Sequence, residues 1–174
     1  EELGASAPFI REKDYSEDYV SILDVFRLSL DKIENDGEIP DLVVGIEETY
    51  PFRDPKLIDQ MIERVINEDL DTIIATRPET RGIWLDSGSN IELMSEGFMP
   101  TVLKKNRALV GLMGLAYITR PMFLREGKFF GEKLGVYEIS DPFASIQVRD
   151  KFSVSWAEKY LELWWSQNYT ELSS

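Results

Sequence analysis

Apolar residues first fall into register at helical spacing. Val20, Ile22, Leu23, Val25, Phe26, Leu28, Leu30 and Ile33 suit a helix from Asp18 to Ile33 with a wide buried face, stopped near Asn35-Asp36-Gly37. The period then changes. Leu42-Val43-Val44-Gly45-Ile46 is a continuous apolar run between Pro40 and acidic residues, the pattern of a strand buried on both faces. Asp54-Pro55 supplies an N-cap with proline at the first helical position, and Leu57, Ile58, Met61, Ile62, Val65 and Ile66 carry a helical stripe to about Glu68. Asp71 to Thr76 then repeats the buried-strand pattern. A strand, a helix and a strand within about thirty-five residues predict a right-handed βαβ crossover and an α/β fold. Ligands of open α/β sheets sit at the carboxyl ends of strands, here after Ile46 and after Thr76.

The pattern loosens between Arg77 and Arg107, where Gly82, Gly88, Gly97 and Pro100 punctuate the chain. A short strand such as Ile83-Trp84-Leu85, or an arm reaching a partner, fits this stretch. Strand-like runs return at Met113–Thr119 and Leu134–Ile139, and a last amphipathic helix is predicted from Ser153 to Trp165. The opening Glu1-Glu2-Leu3 reads as the tail of a helix stopped at Gly4, which suggests a fragment, and the Ser-rich end at Leu172-Ser173-Ser174 is expected to fray.

Composition narrows the chemistry. The 174 residues suit one domain, and a 43% hydrophobic content fills a core. No apolar run is long enough to span a membrane and no leader pattern opens the chain, so a soluble, cytoplasmic protein is expected. With no histidine and no cysteine, imidazole bases, thiolate nucleophiles, disulfides and the usual zinc sites are excluded. A net charge of −13 argues against nucleic acid as a partner. The charge is uneven: residues 1–100 hold 9 basic and 24 acidic side chains, residues 101–174 hold 10 and 8. An anionic ligand is therefore expected to contact the second part.

Three constellations could carry chemistry. Glu47-Glu48-Thr49-Tyr50-Pro51-Phe52-Arg53 follows a buried strand and precedes a helix. It is either a loop whose side chains satisfy backbone groups or a site whose carboxylates hold a cation or a sugar hydroxyl, with Arg53 pairing a carboxylate. Lys104-Lys105-Asn106-Arg107 is the densest basic cluster, either a solvated face or a carboxylate or phosphate site. Phe129-Phe130 is either core or dimer contact, or the apolar wall of a pocket. No P-loop, dinucleotide fingerprint or nucleophile elbow occurs.

Taken in order, these pieces resemble the acylneuraminate cytidylyltransferase family. Gly4-Ala5-Ser6-Ala7-Pro8-Phe9-Ile10-Arg11 is similar to the family's Gly-Ala-x-x-Pro-Phe-x-Arg segment, and Tyr15-Ser16-Glu17-Asp18 to its Leu-Ala-x-Asp. Thr49-Tyr50-Pro51-Phe52-Arg53 resembles its Thr-Ser-Pro-Phe-Arg turn. Glu96 to Pro100, Gly114 to Ile118, and Ser145-Ile146 through Ala157-Glu158 fall in register. The resemblance implies a three-layer Rossmann-like α/β fold with a mixed sheet, of the nucleotide-diphospho-sugar transferase type, incomplete at its N-terminus, in one partial domain over residues 1–174 with a dimerisation arm at about 93–133. It also implies a homodimer that uses CTP and Mg²⁺ to transfer CMP to an acidic sugar. Arg11, Asp18 and Thr49 would lie at the nucleotide. Glu47, Arg53, Lys104, Lys105, Arg107, Phe129 and Phe130 would lie at the sugar.

The departures from the family are equally specific. Its Gly- and Arg-rich phosphate loop would precede residue 1. Where it carries Asp-Ile-Asp to hold the metal, this chain has Gln147-Val148-Arg149, with Asp150 one step out of register. Glu47 stands where the family has Gln. An impaired transferase is therefore expected for this chain, the alternative being a non-catalytic dimerisation or binding module.

Overall fold

A computed structural model describes residues 4–17, 19–95 and 107–169. Its elements are α1 (Ile22–Asn35), β1 (Val43–Gly45), α2 (Leu57–Asn67), β2 (Thr72–Glu79), β3 (Ile83–Asp86), β4 (Ile91–Ser95), β5 (Ala108–Gly111), β6 (Tyr117–Thr119), α3 (Pro121–Arg125), β7 (Leu134–Glu138) and α4 (Lys151–Asn168). The fold is α/β with a mixed, partly parallel sheet, consistent with a Rossmann-like arrangement. The strand order is β1-β6-β2-β5, with β7 also pairing with β2, and β3 and β4 form a separate two-stranded sheet. β1 and β2 are thus not neighbours: β6 lies between the two strands that α2 connects.

The chain divides into two units. The first comprises Glu1–Val44, Ile62–Ile73 and Ile118–Gly135. Here α1 is capped by Ser21, whose hydroxyl accepts a hydrogen bond from the Asp24 amide at 3.1 Å, and begins at Ile22, four residues after the predicted start. Arg125 of α3 pairs with Glu34 of α1. Leu30, Val65, Ile73, Ile118 and Leu124 are buried. Among them Thr72 and Thr119 share a hydrogen bond of 2.9 Å, and the Gly131 amide donates to Thr72 Oγ1 at 3.1 Å. The buried hydroxyls therefore satisfy one another and a turn amide.

The second unit comprises Gly45–Met61, Ile74–Tyr117 and Val136–Ser174. Its core gathers around Phe52, whose ring lies 5.5 Å from Trp164 and 6.0 Å from Phe143. β2 pairs antiparallel with β5 from Thr76 opposite Gly111 to Glu79 opposite Ala108. Helix α4 begins with a reciprocal cap in which Asp150 Oδ1 accepts from the Ser153 amide and Ser153 Oγ accepts from the Asp150 amide.

One expectation is corrected. The run Met113–Thr119 is not one strand: only Tyr117–Thr119 pairs, and residues 113–115 turn. Within residues 93–133, β5 and β6 belong to the five-stranded sheet. The irregular stretch after Arg77 contains the β3–β4 hairpin, which pairs Trp84 with Leu93 and Asp86 with Ile91.

Candidate functional site at the end of the first strand

β1 ends in Gly45, and the chain then turns through Glu47–Arg53 before α2. Every fixed point of this turn lies in the second unit. The Glu47 amide donates to the Gly114 carbonyl at 2.7 Å. Arg53 donates through Nε to the Leu115 carbonyl at 2.7 Å, and through Nη2 to the carbonyls of Glu47 at 3.0 Å and Gly114 at 3.3 Å. Three carbonyls freed by the 113–115 turn and the strand end are thereby satisfied by one planar fork. Burial lowers the Arg53 pKa, as expected for a guanidinium partly withdrawn from water.

Above this clamp stand the polar side chains. Thr49 Oγ1 donates to Glu47 Oε2 at 3.0 Å, and Gln147 Nε2 donates to Thr49 Oγ1 at 3.4 Å. The Val148 amide donates to the Thr49 carbonyl at 2.8 Å, which seats the segment Gln147–Arg149 against the turn. Tyr50 completes the group. Burial raises its phenol pKa first and the Glu47 charge raises it further, while the Arg149 charge lowers it. Gly114 leaves room for both neighbours: a Cβ there would fall 2.5 Å from Glu47 Cδ and 2.7 Å from Tyr50 Cε2.

The structure therefore joins Glu47, Thr49 and Arg53 with Gln147 and Arg149. Arg107 lies elsewhere on the second unit, paired with Glu138 at 2.6 Å. In the first unit, Arg11 is exposed ahead of a 3-10 turn at Lys13–Ser16, and Phe129 packs against Phe26 at 6.4 Å and Phe130 at 6.0 Å. Asp18, Lys104 and Lys105 lie outside the described residues. The first unit also carries a groove of about 600 Å³ lined by Asp14, Tyr15, Tyr19, Asp24, Arg27 and Asp31. Sequence reasoning singled out the segment that contains Tyr50 without giving that residue a role, and missed Gly114 as a member of the site. The signal for Gly114 was present, a glycine within an otherwise apolar run.

The donor set does not suit a divalent cation. Hard cations take carboxylate and carbonyl oxygens, whereas the segment beside the turn offers an amide and a guanidinium. Asp150 is engaged as the cap of α4, where the Ser153 amide and hydroxyl hold its carboxyl pKa below the ordinary range. Among the described residues no group of three or more Asp, Glu, His or Cys side chains is placed to hold a metal ion.

No protein-family model matches the chain. A search of curated proteins finds a class: cytidylyltransferases of acidic sugars. The pseudaminic acid cytidylyltransferase of Campylobacter jejuni subsp. jejuni serotype O:2 is 26% identical over 97 residues, which cover 53% of this chain and 42% of that protein. The pseudaminic acid cytidylyltransferase of serotype O:23/36 is 25% identical over the same extent. The chain thus matches less than half the length of these relatives. Among the described residues no helix is long and apolar enough to cross a membrane.

Proposed function

We propose that this chain serves in CMP transfer from CTP to an acidic sugar of the pseudaminic or sialic type. The observation that carries the reading is the turn Glu47–Arg53, a clamped polar loop at the carboxyl end of a strand in a mixed α/β sheet, in a chain similar to two cytidylyltransferases. In such a transfer a sugar hydroxyl attacks the α-phosphorus of CTP. A P–O bond to the sugar forms, the bond to the β-phosphate oxygen breaks, pyrophosphate leaves and the hydroxyl proton is released. Catalysis of this kind is mainly positioning and charge stabilisation, which suits a chain without His or Cys. Glu47, fixed by Thr49, would accept hydrogen bonds from sugar hydroxyls.

Thr49 would approach the nucleotide. A homodimer is part of this reading, supported by the β3–β4 hairpin: an isolated two-stranded sheet is marginal in water, and Trp84 and Ile91 on it are 60% and 64% exposed. A cytoplasmic location, where CTP is made, completes it. The test is a thermal-shift titration with CTP, UTP and GTP, followed by detection of a CMP-sugar after incubation with CTP and pseudaminic acid. A rise in melting temperature selective for CTP, with product formed, is expected. No response to CTP and no product would overturn the proposal.

A further inference from the structure

We infer that Gln147–Arg149 is an anion-holding element that takes the phosphoryl end of the ligand directly, by guanidinium and amide, without a bridging divalent cation. The inference rests on the nucleotide reading only for calling the anion phosphoryl. Three observations carry it. First, the segment is built into the site, because the Val148 amide and the Gln147 side chain both bond to Thr49. Second, Arg149 is exposed, and among the described residues no carboxylate forms an ion pair with it, although its charge reaches Tyr50. Its five donors are thus available to an oxyanion. Third, the carboxylate next to this segment is already engaged. Asp150 caps α4, and Ser153 Oγ takes the amides of Arg149 and Asp150, each at 3.0 Å.

The resulting site is bipolar. Glu47 brings acceptors to the turn and the segment seated on Thr49 brings the donors of Gln147 and Arg149, so the fitting ligand carries both an anion and hydroxyl or amide donors. A phosphoryl-linked sugar has that distribution. A cation bridging to phosphate would have to approach Arg149 against like charge, which disfavours the metal-bound form of the ligand.

The test is isothermal titration of the 174-residue chain with inorganic pyrophosphate and with CTP, in EDTA and in Mg²⁺. The wild type is expected to bind pyrophosphate no more weakly in EDTA than in Mg²⁺. Arg149→Ala should weaken binding about tenfold or more, and Arg149→Lys, which keeps the charge and loses the fork, should recover part of it. The double variant Gln147→Asp/Arg149→Asp should bind pyrophosphate only with Mg²⁺. As a readout independent of ligand, Arg149→Ala should raise the Tyr50 phenol pKa, measured as the difference in absorbance titration from the same variant carrying Tyr50→Phe. A wild type that requires Mg²⁺, an Arg149→Ala variant of unchanged affinity, or no pyrophosphate binding in either buffer would overturn the inference. Pyrophosphate held by Arg149 with no preference for CTP over GTP would leave this element standing and remove the cytidylyl reading. Selective CTP binding that needs Mg²⁺ would do the reverse.

Discussion

Gly114→Ala is the sharpest probe of the turn, because the added methyl group has no space. The new Cβ would lie 2.5 Å from Glu47 Cδ, and 2.7 Å from both Glu47 Oε2 and Tyr50 Cε2. Contacts below about 3 Å are not tolerated, so both side chains must move. Glu47 is tied to Thr49 and Gly114 is buried, which limits relaxation. Overpacking of this kind costs about 1–3 kcal/mol. Replacing glycine also restricts the unfolded chain, a gain of about 0.4–1 kcal/mol where the backbone permits alanine. Gly114 is not among the positive-φ glycines, so that gain applies. The net expectation is a loss of about 1–2 kcal/mol, read from urea unfolding as a lower midpoint at unchanged slope. Glu47→Ala in the same background removes two of the three clashing atoms and should return about half of the loss, a coupling that a double-mutant cycle isolates. A Gly114→Ala protein as stable as its parent, or a loss that Glu47→Ala leaves untouched, would refute the packing described.

Four further outcomes follow from other parts of the chain. Arg53→Lys should destabilise by about 2 kcal/mol in the same unfolding assay, because an ammonium cannot serve three carbonyls at once. Thr72→Val should cost about 1–3 kcal/mol by leaving the Gly131 amide without its acceptor and the Thr119 hydroxyl with only the Asp71 carbonyl, and adding Thr119→Val should cost less than the sum of the single changes. The carboxyl of Glu79 is held at about 2 by Arg81, against an ordinary 4.5, so its contribution is present above 4.5 and lost as pH falls toward 2. NMR titration of Arg81→Gln should return the Glu79 pKa toward 4.5. Trp84→Glu combined with Ile91→Lys should yield monomer by sedimentation with an unchanged circular dichroism spectrum if the hairpin joins two copies.

The βαβ beginning of the fold was legible because each element carries its own period. The unbroken Leu42–Ile46 run, the stripe from Leu57 to Ile66 and the Asp71–Thr76 run lie at or within a few residues of β1, α2 and β2. The turn after β1 was legible for the same reason, since a polar proline-containing segment between such elements marks a strand end. What decides the fold of residues 113–115 is not local. Gly114 lies where Glu47 and Tyr50 leave no room for a Cβ, and the glycine marks a break in the apolar run without showing which distant side chains it lies against. α3 was missed because five residues hold too little periodicity, although Pro121 at its first turn was a usable signal. Arg53 shows what residue type alone does not reveal: its Nε and Nη2 donate to carbonyls 61 and 62 residues away in the chain, as well as to one six residues away.

The bond between Gln147 and Thr49 spans 98 residues. A ribosome adding about 5–20 residues per second needs roughly 5–20 s to travel that distance. During this interval β1, α2 and β2 have been made, but the loop that follows β1 still lacks its far wall. The nascent chain therefore holds an unfinished pocket until Gln147 emerges, and a pause or truncation before that residue would leave the sheet largely made with its site open.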